Sequence, residues 1–302
     1  MADQLNVFPY VLAYIVLGII FILIAKWVYD LMTYYKLDNE LTKKDNPAVG
    51  TALTGYFIAL MIIIAKIVPH IDKDMSLDKF LKDLPNVVIY VLLGIVLLNV
   101  SRMIVDKLIL YKFKVNKELI DDKNVGTGAV LAGSYVASGL VIAAALAGDG
   151  ETTKSAIAFS SISNPIVTGV LLSLIFFSLG QATFVLYSLI YSWLSPYKVH
   201  EEIEKDNVAA GVAFGGGLVA LGIILYRGLG GKSNGWTSDL LYYGFLVAFA
   251  FILFPLIRLL VNKIMLPKAD LTDEIVRDRN VNAAYLEIVA LNMVAAIILF
   301  VY

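Results

Sequence analysis

The 302-residue chain has no cysteine and only two histidines, His70 and His200, which are far apart in sequence. The absence of cysteine excludes disulfides, thiol catalysis and thiolate metal sites. Two separated imidazoles do not make a zinc site, so we expect no metal and no cofactor. The sequence also lacks a phosphate-binding Walker loop, a Ser-His arrangement and paired aspartates within its helices, which indicates that the protein is not an enzyme.

Charge is scarce as well. Asp, Glu, Lys and Arg make up 16% of the residues and nearly cancel, leaving a net charge of −1, which gives no basis for nucleic-acid binding. Hydrophobic residues make up 59% of the chain and its mean hydropathy is +0.80, well above that of a soluble domain. The composition predicts an integral membrane protein whose main partner is the lipid bilayer.

Apolar runs of membrane-spanning length occur along the whole chain. A helix needs about 20 apolar residues to cross about 30 Å of hydrocarbon. The runs predict an all-α integral membrane protein with eight transmembrane helices, near residues 7–29, 48–68, 86–110, 127–147, 165–194, 208–226, 240–265 and 281–301.

An internal repeat divides these helices into four two-helix units. An asparagine stands just before each even-numbered helix, and a glutamate stands six residues earlier. The asparagines are Asn46, Asn124, Asn207 and Asn280, and the glutamates are Glu40, Glu118, Glu201 and Glu274. Because each unit crosses the membrane twice, the four units enter it in the same orientation and form parallel repeats. The order of charges before the asparagine alternates, which predicts two four-helix domains, 1–150 and 160–302, joined within 148–163.

The repeated asparagine and glutamate have two interpretations. Asparagine before an apolar helix is a good N-cap, and an acid suits the positive end of a helix. Alternatively, the same side chains form a cytoplasmic ring that gathers an ion at the mouth of a pathway.

Small residues follow each of the first three asparagines by four and eight positions. The pairs are Gly50 and Thr54, Gly128 and Ala132, and Gly211 and Gly215. This small-xxx-small spacing predicts close helix packing. The run Gly215-Gly216-Gly217 has a second interpretation, in which bare backbone lines a narrow pathway.

Charged pairs occur inside two odd-numbered helices. Lys26 precedes Asp30, and Arg102 precedes Asp106, by four residues on one helical face. Each pair is either an anchor that reaches toward the headgroups or a buried pair within the bundle.

The most unusual residue is Glu287, about two turns inside the last helix. An unpaired carboxylate there is costly, and Arg258 lies at a similar depth on the preceding helix, so we predict a salt bridge. There are two alternatives: Glu287 handles a proton or a cation, or it faces a water-filled vestibule. Two other polar residues, Asn292 near Glu287 and Gln181 in the middle of the fifth helix, either bond between helices or line a pathway.

The paired four-helix domains, the asparagine signature and two glycine-rich segments resemble the bacterial domain of unknown function 350 family, as two tandem copies. The segments are Asn124-Val125-Gly126-Thr127-Gly128 and Ala213-Phe214-Gly215-Gly216-Gly217. The fourth unit departs from the pattern, with Ile288 and Val289 in place of small residues. The resemblance implies a bacterial inner-membrane protein, associated with envelope-stress genes, and gives no active site.

Two classes of function are therefore expected. The first is a small transporter or channel for a proton, a cation or a small solute. The second is a membrane structural or envelope-stress component that moves nothing and recruits partners through its cytoplasmic linkers. Its partners would be further copies of the chain or stress-response proteins.

The distribution of basic residues predicts orientation. The connections after helices one, three, five and seven, with their helix ends, hold 17 of the 24 Lys and Arg residues, so this side should be cytoplasmic and both termini should lie outside. A periplasm-dependent phosphatase fused after Tyr302 should therefore be active. If only a cytoplasmic reporter works at that position, the orientation or the number of spans is wrong.

Overall fold

The computed structural model describes residues 2–146, 164–230 and 235–301, and the predicted join at 148–163 lies outside them. In chain order its helices are α1 (Ala2–Leu31), α2 (Leu37–Thr42), α3 (Pro47–Ile67), α4 (Leu77–Ile104), α5 (Val115–Ile120), α6 (Val125–Leu146), α7 (Pro165–Leu194), α8 (Val199–Glu204), α9 (Val208–Gly230), α10 (Trp236–Leu260), α11 (Leu271–Val276) and α12 (Val281–Val301). Wider π-type turns, Val105–Ile109 and Val261–Met265, extend α4 and α10.

Eight of these helices, within the ranges described, are long and apolar enough to cross a membrane, which confirms the predicted all-α transmembrane fold. The third of them begins at Leu77, nine residues before the predicted start, because the Ser76 hydroxyl accepts a hydrogen bond from the Lys79 amide and caps a longer helix. Each unit consists of an outer helix (α1, α4, α7 or α10), a short linker helix (α2, α5, α8 or α11) and an inner helix (α3, α6, α9 or α12).

The inner helices form a row in the order α3, α6, α9 and α12, and the outer helices pack along it. Helix α4 packs against α3 and α6, α7 against α6 and α9, and α10 against α9 and α12. The middle of the row is the core of the molecule. In an 18-residue window, 78% of α6 and 72% of α9 is buried, compared with 11% of α1.

Neighbouring inner helices meet backbone to backbone at glycines. Between α3 and α6, a Cβ added at Gly128 would overlap Ala48, and one at Gly139 would overlap Ala59. Between α6 and α9, Gly211 meets Gly126 in the same way.

The contacts recur at the same distances from the asparagines in both junctions. In both junctions, the residue 2 positions after the asparagine of one inner helix meets the residue 4 positions after the asparagine of the next. The residues 9 and 13 positions after the first asparagine likewise meet those 8 and 15 positions after the second. Because both series ascend, the inner helices run parallel and in register. The junction between α6 and α9 joins the two halves of the chain and is as close as the junction within the first half.

The fourth unit keeps this geometry with larger residues. Ile288 of α12 lies eight positions after Asn280 and fills the space beside Gly216 of α9. Val289 points away from the row and is 60% exposed. Helix α12 therefore closes one end of the row with an apolar outer face, and α3 lies at the other end.

Close backbone contact predicts a large effect of bulky side chains at these glycines. In Gly211→Leu the new side chain must displace the backbone of Gly126, whereas in Gly244→Leu it meets nothing within 4 Å. We expect the free energy of unfolding of Gly211→Leu to be lower than that of the wild type by about 2 kcal/mol or more. This variant should therefore melt several degrees below Gly244→Leu in detergent. Equal melting temperatures for the two variants would contradict the packing described for the row.

Candidate functional site

Each linker helix ends in an unusual turn that positions the signature asparagine. The residue before each asparagine has a left-handed backbone conformation although it is not glycine. These residues are Asp45, Lys123, Asp206 and Arg279, with φ between 46° and 56°. The asparagine amide then donates back to the carbonyl of the signature glutamate, as from Asn124 to Glu118 (2.8 Å). This closure resembles a Schellman helix end and turns the chain into the next inner helix.

The asparagine side chains cap their own helices and bind the next unit. Asn124 Oδ1 accepts a hydrogen bond from the Thr127 amide (2.7 Å), and its Nδ2 donates to Glu118 Oε2 (2.9 Å) and to the Ile203 carbonyl of α8 (2.7 Å). Asn46 binds the carbonyl of Leu119, and Asn207 that of Ile275, each at 2.8 Å.

These three asparagines are buried in successive junctions, and no ring of signature side chains around an ion pathway is formed in the described parts of the chain. Asn280 stands in the last unit. Its Nδ2 donates to Glu274 (2.7 Å), and its Oδ1 accepts from the Asn282 amide (3.0 Å).

The third signature glutamate is Glu202, and the prediction of Glu201 is wrong. Asn207 donates to Glu202 from both its amide (3.0 Å) and its side chain (3.1 Å), whereas Glu201 pairs with Lys198. The reason is that this linker is one residue shorter, while the glutamate keeps the fourth position of each linker helix. Burial raises the pKa of the equivalent Glu118, and the hydrogen bond from Asn124 opposes that shift.

The three consecutive glycines of α9 face three different helices. A Cβ on Gly215 would meet Ala129 of α6, one on Gly216 would meet Ile288 of α12, and one on Gly217 would meet the Tyr187 hydroxyl of α7. Successive residues of a helix point about 100° apart, so a run of three glycines lets three neighbours approach one turn.

The predicted pairs Lys26 with Asp30 and Arg102 with Asp106 are not formed. Lys26 Nζ binds Asp38 of α2 (2.7 Å), and Asp30 Oδ1 accepts a hydrogen bond from the Leu37 amide at the start of α2 (2.9 Å). The spacing of four residues puts each pair on one face, but the linker helix folds back against that face and offers partners.

Arg102 lies in a cluster of tyrosines. Its guanidinium is 4.8 Å from the centre of the Tyr29 ring, and Nη2 donates to Tyr35 Oη (3.4 Å) and Asn116 Oδ1 (3.2 Å). Asp106 is not among these partners and lies beside Asn116 in the wall of a cavity at the linker end.

The structure brings Arg258 and Glu287 together. Arg258 Nη1 is 2.8 Å from Glu287 Oε1 and also donates to Tyr191 Oη (3.4 Å), and Glu287 is 1% exposed. Arg258 Nη2 and Glu287 Oε2 are buried without a hydrogen-bond partner within the ranges that the structure describes. The pair thus keeps one donor and one acceptor atom unused.

A cavity of about 380 Å³ lies against this ion pair, between α7, α10, α11 and α12. Tyr187, Phe254 and Leu259 contribute apolar wall, and Arg258, Glu287 and Asn262 contribute polar groups. Such a mixture of apolar surface and a few converging polar groups is typical of sites for small molecules. We call this space the Arg258 cavity.

The other predicted polar residues bond within the bundle. Gln181 Nε2 donates to Ser138 Oγ (3.1 Å) and joins α7 to α6, and Asn292 Nδ2 donates to the Gly216 carbonyl (3.2 Å) and joins α12 to α9. His200 Nε2 donates to the Ile109 carbonyl (2.7 Å), and burial lowers its pKa. This bond links α8 to the π-type turn after α4.

Sequence reasoning missed the tyrosines. Tyr29 and Tyr35 in the first half, and Tyr191 and Tyr197 in the second, are six residues apart, and their hydroxyls lie 3.4 Å and 3.3 Å from each other. With the shorter third linker taken into account, the two pairs occupy equivalent positions. The repeated spacing of six could have identified them.

The Arg258–Glu287 pair can be tested with a double-mutant cycle. In Glu287→Gln, Arg258 would lose its carboxylate partner in a buried site, so we expect a loss of about 3 kcal/mol or more. Glu287→Gln with Arg258→Met should recover much of that loss, because no charge is then left alone. Thermal unfolding in detergent measures both. Additive effects of the two substitutions would contradict the pairing.

Comparison with known proteins gives a family. The chain is 22% identical over 221 residues to a UPF0719 transmembrane protein from Aquifex aeolicus (strain VF5), an alignment that covers 72% of this chain and 73% of the relative. No solved structure matches. The model of a domain of unknown function, DUF350, matches residues 3–146 and again residues 165–301, which confirms two tandem copies. The chain therefore belongs to the DUF350 family of multi-pass membrane proteins.

Proposed function

We propose that this polytopic membrane protein is a small transporter or channel that moves a proton, a cation or a small solute past the Arg258–Glu287 pair. The observation that supports the proposal is the Arg258 cavity, which places about 380 Å³ of space against a buried ion pair. Ionisable groups at this depth are expensive, and in membrane proteins they commonly mark paths of substrates and ions.

The atoms of the pair suit a polar solute. Arg258 Nη2 is an unused donor and Glu287 Oε2 an unused acceptor with respect to the described residues. A solute with an acceptor and a donor side by side could satisfy both, while aromatic side chains such as Tyr187 and Phe254 pack against its apolar part. The pair is a net neutral site, so the solute need not carry a net charge.

The pair also has the properties of a two-state element. Protonation of Glu287 would remove one charge of the pair and leave the guanidinium of Arg258 to the surrounding tyrosine hydroxyls, Tyr191 among them. A solute or a proton that favours one of these states shifts the equilibrium between them, which is the requirement for coupled transport.

A second candidate function is supported by the row of inner helices. Backbone contact at Gly128, Gly139 and Gly211 is typical of a rigid scaffold. In this alternative the protein moves nothing and recruits further copies of itself or stress-response proteins through its linkers. Both candidates are non-enzymatic, and both assume a bacterial inner membrane with the two termini outside.

Flux from proteoliposomes distinguishes the two. Vesicles loaded in turn with protons, potassium and polyamines should release one of them faster with the wild-type protein than without protein. Glu287→Gln should reduce this release to the level of empty vesicles, because an amide cannot ionise. The control is Asp78→Asn, which breaks an exposed ion pair with Lys82 of the same length, 2.8 Å.

The folded state of each variant is checked by size-exclusion chromatography before flux is compared. Equal release from the wild type and Glu287→Gln would overturn the role of the pair. No release of any of the three by a well-folded wild-type protein would favour the scaffold.

A further inference from the structure

The two halves of the molecule contain equivalent buried arginines with different surroundings. Arg102 and Arg258 both lie 22 residues before their asparagine, and each contacts the equivalent tyrosine pair, Tyr29 and Tyr35 or Tyr191 and Tyr197. The halves therefore contain the same arginine site twice. A difference between the residues of the two copies indicates that the two sites bind different groups.

The difference lies in the negative charge. Seven residues after the asparagine, the second half has Glu287 and the first half has Leu131. Eleven residues after it, one turn further on the same face, the second half has Leu291 and the first half has Tyr135. A phenol is neutral at neutral pH, so the acidic group that balances Arg258 has no counterpart beside Arg102.

The contacts of Arg102 confirm that its described partners are neutral. Nη2 donates to Tyr35 Oη and Asn116 Oδ1, and the guanidinium lies 4.8 Å and 5.9 Å from the centres of the Tyr29 and Tyr35 rings. Within the described ranges no carboxylate forms an ion pair with it. Arg102 is only 9% exposed, and a guanidinium cannot lose its proton in a protein.

Two hydrogen-bond donors in this cluster have no acceptor of good geometry. Arg102 Nη1 and Tyr135 Oη are both buried without a hydrogen bond of good geometry in the described parts of the chain, and the group that interacts with the Tyr135 hydroxyl there is the hydroxyl of Tyr29, itself a neutral phenol. Tyr29 is a neighbour of both groups, since its ring centre lies 4.8 Å from the Arg102 guanidinium and 6.4 Å from the centre of the Tyr135 ring. Two donors beside a buried positive charge require an acceptor, and the acceptor that also balances the charge is an anion.

We propose that the first half binds a small monovalent anion of chloride's size between Arg102 Nη1 and the Tyr135 hydroxyl. One negative charge balances the single guanidinium, and the surrounding aromatic side chains restrict the anion to one or a few atoms. The site is independent of the transport proposed for the Arg258 cavity.

A cavity at the linker end adjoins the residues around Arg102. This cavity of about 450 Å³ is lined by two lysines and two aspartates, Lys114, Lys117, Asp106 and Asp121, and by Asn116, among other residues. Asn116 is also the residue whose Oδ1 accepts a hydrogen bond from Arg102. Asn116 thus contacts both the cavity and the guanidinium, so this cavity is the one nearest in contact to the proposed site among those described.

The test uses the full-length protein in detergent with chloride as the probe. Chloride replaces gluconate at constant ionic strength while the melting temperature and the line width of the chlorine NMR signal are recorded. The wild-type melting temperature should rise with chloride and saturate, and the signal should broaden. Both responses should be absent in Arg102→Met.

Three further variants sharpen the result. Tyr135→Phe should bind chloride roughly tenfold more weakly or worse, since it removes one hydrogen bond to a charged group. The double variant Arg258→Met with Glu287→Met, which removes the balanced pair of the second half, should keep the wild-type response. Glu287→Gln should acquire a second chloride response, because Arg258 then resembles Arg102.

Other outcomes overturn the proposal. A wild-type protein that shows neither saturation nor broadening has no such site. A tyrosinate absorbance band at neutral pH that disappears in Tyr135→Phe would mean that a phenolate supplies the negative charge. If Arg102→Met does not fold, the wild-type titration and Tyr135→Phe decide, and equal affinity in those two proteins refutes the assigned geometry.

Discussion

Parallel contact between inner helices is the constraint on which the rest of this structure depends. Helices α3, α6, α9 and α12 begin at the same end of the molecule, so their unpaired amides and positive dipole ends lie side by side there. Such an arrangement needs a cap and negative charge at every junction. The signature meets both needs, since asparagine caps the helix and glutamate lies beside it, as in Asn124 and Glu118.

The same asparagines also connect one unit to the next. Each of the first three donates to a carbonyl of the following linker helix, so that linker helices and inner helices are held in one register. Fixed register allows the glycines to meet at equal heights along α3, α6 and α9. In lipid, where apolar side chains gain little from burial, this close approach and the hydrogen bonds at the linker end supply the association. The outer helices are then positioned by the grooves of the row.

On this shared frame the two halves differ in charge. Both keep an arginine and a pair of tyrosines in equivalent positions, but the second half adds a carboxylate, Glu287, that pairs with its arginine beside a cavity. The first half places Tyr135 one turn further along instead and leaves Arg102 among neutral groups. Duplication therefore preserved the cation in both halves, and a single inner-helix position, occupied by Leu131 or Glu287, distinguishes their chemistry.

The sequence by itself determined the membrane location, the number of crossings, the parallel repeats and the tandem halves. These follow from hydrophobic length and from a spacing along the chain, which are local quantities. It also indicated that Glu287 and Arg258 lie at the same depth, because depth along a helix is counted in residues. It did not identify Glu202, because one missing residue in the third linker is visible only once the helix ends are known.

Only the tertiary structure decided the partners of the charged groups and the order of the helices. Lys26 binds Asp38 rather than Asp30, because the linker helix folds back toward it, and the spacing within one helix does not show that. Three adjacent glycines contact three separate helices, because neighbours pack on every side of α9, and the sequence of α9 does not say which helix lies on which side. The tyrosine pair that contacts each arginine comes from the preceding unit. Contacts between distant segments depend on how the helices are arranged around one another. That arrangement results from all the helix–helix contacts together, and the sequence of a single helix does not determine it.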